Sequence, residues 1–251
     1  MSRVIAFFYG AVSYVVFLGA FLYAIGFTGN LVVPKSIDSG VEGPFAASLL
    51  IDVLLLGLFA LQHSGMARPG FKRQWTKLVP EPIERSTYVL LASLALILLY
   101  RFWQPLPDTF WTVENATGRA VLWTLFGIGW GLVLTATFMI SHAHLFGMKQ
   151  VYQHLRRQEA QSPGFKTPGL YRYMRHPIMA GFFIAFWATP DMSMGHLLFA
   201  LATTGYILIA LQLEEHDLVQ MFGERYREYR RQVRMFVPLP KRSGRQAREH
   251  A

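Results

Sequence analysis

Cysteine is absent from the 251 residues. That absence excludes disulfides, thiolate metal centres and a cysteine nucleophile, and with them any relay of a group through an enzyme thiol. If sulfur chemistry takes place here, the sulfur belongs to the ligands. Charge is also scarce, at 16% of residues against 53% apolar, and the mean hydropathy is positive. A soluble domain of this length seldom has such a composition. Internal repeats are missing, which argues against a transporter built from repeated halves. Lysine and arginine are missing from residues 104–118 and from the short connection near Pro190.

What the chain does contain is a series of apolar runs at 5–27, 45–66, 86–103, 119–141, 178–190 and 195–213. A helix needs about 20 apolar residues to cross a hydrocarbon core of about 30 Å. Five runs meet that length. The run at 178–190 is short and ends at Pro190, so it either stops part-way or crosses with little tilt. The expected fold is an all-α integral membrane protein of five to six transmembrane helices that ends in a helical hairpin. The first run reads as a retained helix rather than a cleaved signal.

Basic residues alternate with these runs. Arg68, Lys72, Arg73, Lys77 and Arg85 follow the second run, and Lys149, Arg156, Arg157, Lys166, Arg172 and Arg175 follow the fourth. More follow Glu214, whereas Lys35 alone lies between the first two runs. The positive-inside rule places the basic loops and both termini in the cytoplasm. The net charge of +9 is then a matter of topology and of attraction to anionic lipid headgroups, not of nucleic-acid binding.

Residues 1–240 read as one membrane domain, followed by a basic tail at 241–251 that is expected to fray. The largest polar stretch, 142–176, is expected to hold an amphipathic helix over 144–158, ended by Ser162-Pro163-Gly164 and Thr167-Pro168-Gly169. Residues 214–234 are expected to continue the last helix into water. Trp75, Trp103, Trp111 and Trp187 lie near span ends, where an interfacial aromatic belt would put them.

The most informative stretch runs from Gly169 to Pro238. His176-Pro177 opens the fifth run, and proline suits the first helical turn because its missing N–H would be unpaired there anyway. The free N–H groups of such a turn bind anions, with Arg175 and His176 beside them. The plain alternative is a helix start whose Arg and His meet lipid phosphate. Glu214-Glu215 ends the sixth run, where acids oppose the helix dipole. Successive helical residues point about 100° apart, so at most one of the pair faces a given pocket. Asp52 and His63 are intramembrane ionisable groups on one stripe of the second run, and such groups are costly enough to be functional candidates. His142 and His144 point to nearly opposite faces of a helix. They cannot share a metal while helical, and no ligand spacing in the chain supports a metal site.

Tyr171 through Gly181, with Arg175-His176-Pro177 and then Gly181 four residues on, resembles the signature of isoprenylcysteine carboxyl methyltransferases and their relatives. Glu214-Glu215 and Tyr226-x-x-Tyr229 complete the same C-terminal pattern. Gln62-His63-Ser64-x-Met66-Ala67-Arg68, Glu84 to Tyr88, the loop from Trp103 to Trp111, Leu145 to Val151 and Phe186 to Pro190 are similar to bacterial methanethiol S-methyltransferases. That resemblance covers nearly the whole chain. It implies a bacterial inner-membrane enzyme with a cytoplasmic pocket for S-adenosylmethionine, methylating a small volatile thiol. Methanethiol would give dimethyl sulfide, and hydrogen sulfide is a second acceptor. It further implies that Tyr171, Arg175, His176, Pro177, Gly181, Glu214, Glu215, Tyr226, Tyr229 and Arg230 hold the cofactor. His63 or His142 would serve as base, with Glu215 orienting a histidine or binding the cofactor. A lipid or prenylcysteine methyltransferase would use the same cradle. An accessory membrane protein of nitrogen-oxide metabolism is the non-enzymatic alternative.

Overall fold

A computed structural model describes residues 1–159 and 164–238. Ser162-Pro163 and the basic tail at 241–251 lie outside the described residues. Among the described residues, five helices are long and apolar enough to cross a membrane: α1 (Arg3–Gly29), α2 (Phe45–Ala67), α4 (Glu81–Phe102), α5 (Ala116–Ile140) and α9 (Met194–Phe222). Short helices connect them or follow them: α3 (Pro69–Trp75), α6 (His142–Leu145), α7 (Met148–Leu155), α8 (Pro177–Trp187) and α10 (Glu224–Gln232). Large apolar side chains such as Val12, Leu54, Leu58, Ile128, Phe138, Leu201 and Ile209 point outward along the long helices. An apolar shell of that extent is a surface for lipid rather than water.

The core is aromatic. Phe27, Tyr100, Trp103, Phe126, Trp130, Phe186 and Phe199 form one buried cluster that ties α1, α4, α5, α8 and α9. Trp103 was expected at an interface, but it is fully buried and its indole N–H donates to the Ile37 carbonyl at 3.1 Å. It closes the end of α4 against the loop after α1, because that loop brings a bare carbonyl to it. Asp52 is also fully buried and accepts the backbone N–H of Gln104 at 2.8 Å. That hydrogen bond fixes the chain as it leaves α4.

The expected helix over 144–158 is broken. Ser141 (φ 117°) and Gly147 (φ +86°) take left-handed conformations on either side of α6. A Cβ on Gly147 would lie 2.6 Å from Ser86 Oγ, so both the turn and the close approach call for glycine. The continuous C-terminal helix expected over 214–234 is likewise broken, at Gly223 (φ +58°), and α10 turns back from α9 there.

The α8–α9 hairpin explains the short fifth run. With 11 residues α8 is about 16 Å long, too short to cross alone. The chain continues in extended form through β2 (Asp191–Ser193), which pairs antiparallel with β1 (Thr109–Thr112). Non-helical backbone is tolerated at such depth only where protein covers it, and Ala188, Thr189, Pro190, Met192 and Ser193 are all buried. Their neighbours satisfy the loose polar groups. Trp111 donates to the Thr189 carbonyl at 3.2 Å, Val113 N–H to Pro190 at 2.8 Å, and His196 Nε2 to the Phe186 carbonyl at 2.9 Å. Arg119 grips Asp191 with both guanidinium nitrogens, at 2.9 and 2.8 Å.

Against α5, α8 packs backbone to backbone. A Cβ on Gly181 would sit 2.7 Å from the Gly129 carbonyl oxygen, so this site needs glycine for packing. Gly181→Ala should destabilise the protein by about 1–3 kcal/mol. Gly127→Ala, with nothing within 4 Å of the added carbon, should change stability by less than about 0.5 kcal/mol. Thermal unfolding of the solubilised variants measures both.

Candidate functional site

The anchor of the C-terminal third is Glu215, buried on α9 at 3% exposure. Its Oε1 accepts from Arg175 Nε at 2.6 Å and lies 3.1 Å from His176 Nε2. Its Oε2 lies 3.1 Å from Arg230 Nε of α10. Arg175 is itself buried and also donates to the Val233 carbonyl at 2.6 Å. The backbone N–H groups of Arg175 and His176 donate to the carbonyls of Arg234 and Met235, at 2.9 and 3.1 Å. The start of α8, the end of α9 and the segment after α10 thus meet on one carboxylate.

Local sequence makes this possible. Pro177 stands at the first position of α8, where φ is already helical. His176 precedes it with a non-helical backbone (φ −129°, ψ 65°), and its ring reaches Glu215 of α9. Gly223 reverses the chain so that Arg230 returns toward Glu215. Tyr229 donates its hydroxyl to the Tyr171 carbonyl at 2.5 Å, which fastens the 3₁₀ turn at Gly169–Arg172 onto α10. Tyr226 and Tyr171 are buried beside it. Burial, with the Glu215 charge nearby, pushes the Tyr229 phenol up to about 12 despite Arg175.

The two adjacent acids divide as helical geometry requires. Glu215 turns inward, and both its oxygens have partners. The side chain of Glu214 is 47% exposed, and its Oε2 lies 3.9 Å from His176 Nδ1. Next to this assembly is a cavity of about 320 Å³ lined by Arg175, Arg227, Arg230 and Arg231. A second cavity, of about 360 Å³, is lined by Phe165, Lys166, Thr167, Pro168, Arg172 and Arg225. Both volumes fall in the range of small-ligand sites. Basic side chains, one outward carboxylate and several aromatic rings suit a ligand that carries a carboxylate, an amine and a sulfonium. Aromatic faces attract such cations by about 0.5–2 kcal/mol.

The histidines proposed as bases sit apart from the anchor. His63 of α2 is half-buried, with the Tyr88 hydroxyl of α4 3.1 Å from each ring nitrogen. His142 has both nitrogens engaged. Thr137 Oγ1 donates to the Leu134 carbonyl at 2.7 Å, so it accepts from Nδ1–H of His142 at 2.9 Å. Tyr14 then donates to Nε2 at 2.9 Å. The lone pair that a base needs is therefore taken, and Phe138 stacks on the ring at 4.2 Å. Burial lowers the His142 pKa. His144 is lowered as well, by burial and then by Arg85, Lys149 and Lys72. No group of three or more His, Cys, Asp and Glu able to hold a metal occurs among the described residues.

Sequence reasoning missed Tyr88 as the partner of His63, and Tyr206, whose oxygen accepts from Ser64 at 3.2 Å. The available signal was a hydroxyl-bearing aromatic inside an otherwise apolar helix.

A family model described as NnrU protein matches residues 51–246. Methanethiol S-methyltransferase of Mycobacterium tuberculosis is 55% identical over 242 residues, covering 96% of this chain and 99% of that protein. Methanethiol S-methyltransferase of Crocosphaera subtropica is 50% identical over 239 residues, covering 95% and 94%. Nurim of Bos taurus is 33% identical over 179 residues, covering 68% of each chain. No solved structure matches.

Glu215→Ala strands the buried Arg175 guanidinium and should destabilise the protein by about 3–5 kcal/mol, whereas Glu214→Ala should leave thermal unfolding unchanged. The Tyr229 phenol is raised in the fold, so the stability it contributes is complete below about pH 10. That part is lost as pH rises toward about 12. In Tyr229→Phe the decline of melting temperature over that window should be smaller.

Proposed function

The chain belongs to the NnrU protein family, and on that footing we propose that it methylates methanethiol to dimethyl sulfide with S-adenosylmethionine as donor. The observation that carries this reading is the near full-length identity to proteins named methanethiol S-methyltransferase. The site chemistry agrees with it. We read the basic face as cytoplasmic, with both termini on that side of a bacterial inner membrane, in keeping with the positive-inside rule. A charged, bulky donor then arrives from the cytosol, and an apolar one-carbon thiol arrives through lipid.

In this reading S-adenosylmethionine supplies an electrophilic methyl group on a sulfonium. Arg227 and Arg230 hold its carboxylate, an arrangement favoured by charge-assisted hydrogen bonds. Glu214 takes the amino group, because both oxygens of Glu215 are already engaged by Arg175, His176 and Arg230. His176 and the Tyr171, Tyr226 and Tyr229 rings border the sulfonium side. Gly181 and Pro177 contribute by setting α8 close to α5 and by starting it at the right place. His63 accepts the thiol proton, a role that the occupied nitrogens of His142 disfavour. Free thiols titrate near 8.5 or above, so such a base raises the fraction of nucleophilic thiolate at neutral pH. Donor and acceptor must be held about 3–3.5 Å apart and in line. The meeting point of the basic ends of α2, α4, α8 and α9 is where that alignment is proposed.

Purified protein in lipid nanodiscs, given S-adenosylmethionine and methanethiol, should release dimethyl sulfide into the headspace and form an equal amount of S-adenosylhomocysteine. Absence of both products overturns the proposal. Glu214→Ala should weaken donor binding about tenfold or more, equivalent to about 1.4 kcal/mol, as read by calorimetry. His63→Ala should lower turnover and leave donor affinity as in the wild type.

A further inference from the structure

Three helices bring four rings together near the basic face. Phe59 stacks on His63 one turn later in α2, with centroids 5.2 Å apart. His63 meets Tyr88 of α4 at 5.3 Å. Phe59 also meets the Tyr206 ring of α9 edge-on at 6.1 Å. Ser64 donates to Tyr206 Oη at 3.2 Å, which leaves the Tyr206 proton for another acceptor. Centroid spacings of 5–6 Å put these rings in direct contact, so the cluster holds the His63 ring and the Tyr206 phenol in fixed positions.

The charged groups around this cluster are mixed in sign. Arg85 lies over the Tyr88 ring at 4.8 Å. Arg68, in an ion pair with Asp217 at 2.9 Å, lies within electrostatic reach of both tyrosines, and so does Glu214. Glu214 is also the acid that approaches His176. The ring cluster and the proposed donor site therefore share a border.

We infer that Tyr206 is a second contact for the acceptor sulfur, its O–H donating to the thiolate that His63 helps to form. The inference rests on the thiol methylation proposed above. The thiol S–H proton passes to a ring nitrogen of His63. A sulfur lone pair forms the new S–CH₃ bond while the sulfonium C–S bond breaks, and that electron pair stays on the donor sulfur. His63 then returns its proton to water. Tyr206 keeps its own proton throughout: it holds the nucleophile in line and favours its ionised form, because sulfur accepts a stronger hydrogen bond as an anion.

Tyr206→Phe should lower kcat/KM for methanethiol about tenfold to a hundredfold, the range expected for a hydrogen bond to a charged group. The acid limb of its pH profile should move to higher pH, and donor affinity should stay unchanged. Fluorotyrosine placed at position 206 alone, a stronger donor of nearly the same shape, should move that limb to lower pH. It also keeps the test open if Tyr206→Phe does not fold. Ser64→Ala removes the Ser64–Tyr206 bond but keeps the phenol, so it should retain activity within about twofold, on the scale of a weak neutral hydrogen bond. Titration of ¹³C-methanethiol by NMR without the methyl donor reads the bound thiolate fraction directly. That fraction should fall at pH 8 in Tyr206→Phe. A wild-type pH profile and thiolate fraction in Tyr206→Phe, or equal losses in Ser64→Ala, would overturn the inference. Failure of the wild-type protein to form dimethyl sulfide would strike the proposed activity instead, and the donor-free titration would still decide Tyr206.

Discussion

One carboxylate organises the C-terminal third of this protein. Glu215 is buried at the end of a long apolar helix, where an unpaired charge would cost several kcal/mol. Two arginines and a histidine meet it there, drawn from the start of α8 and from α10. Two of these partners are fixed in turn by backbone: Arg175 by the Val233 and Arg234 carbonyls, His176 by the proline that follows it. The attraction within such a cluster is offset by desolvation, so its value lies less in raw stability than in permitting a single arrangement. The arrangement sets the level of α8 against α9, directs Glu214 outward and turns Arg227, Arg230 and Arg231 toward one cavity.

The opposite end of the hairpin meets a different constraint. There the chain runs through residues 188–193, and its polar backbone groups are paired with β1, Trp111 and Val113. The helix that starts at Pro177 is thereby held at both ends, by charge at one and by backbone pairing at the other. Between them, Gly181 and Gly129 let α8 and α5 touch along their backbones. The proposed site sits at the end of a lever with two fixed points, the kind of preorganisation that the proposed in-line transfer would need.

Much of this was legible in the sequence. The five long spans follow from run length, and the start of α8 follows from His176-Pro177. The adjacency of Glu214 and Glu215 announced that the two would face different ways. It did not reveal which would turn inward, because that choice depends on Arg230, and Arg230 reaches Glu215 only after Gly223 breaks what reads as one continuous helix. Trp103 resembled an interfacial tryptophan because nothing local distinguishes it from one. Its burial depends on the Ile37 carbonyl, 66 residues away. His142 looked as available as His63 until Tyr14, at the far end of the chain, occupied its second nitrogen. Local pattern reported periodicity and punctuation well. Partners distant in sequence decided which polar groups were already spent.

The shortness of α8 also bears on how the chain enters the bilayer. A segment of 11 helical residues followed by open backbone is a poor candidate for insertion by itself, since residues 188–190 would meet lipid with their carbonyls bare. The partners that cover them, Trp111 and Val113, precede them in the chain, and His196, which follows, reaches the Phe186 carbonyl at the end of α8. Biogenesis is therefore ordered: the body up to α5 must be in place before the last two segments enter, and those two must enter together as one hairpin.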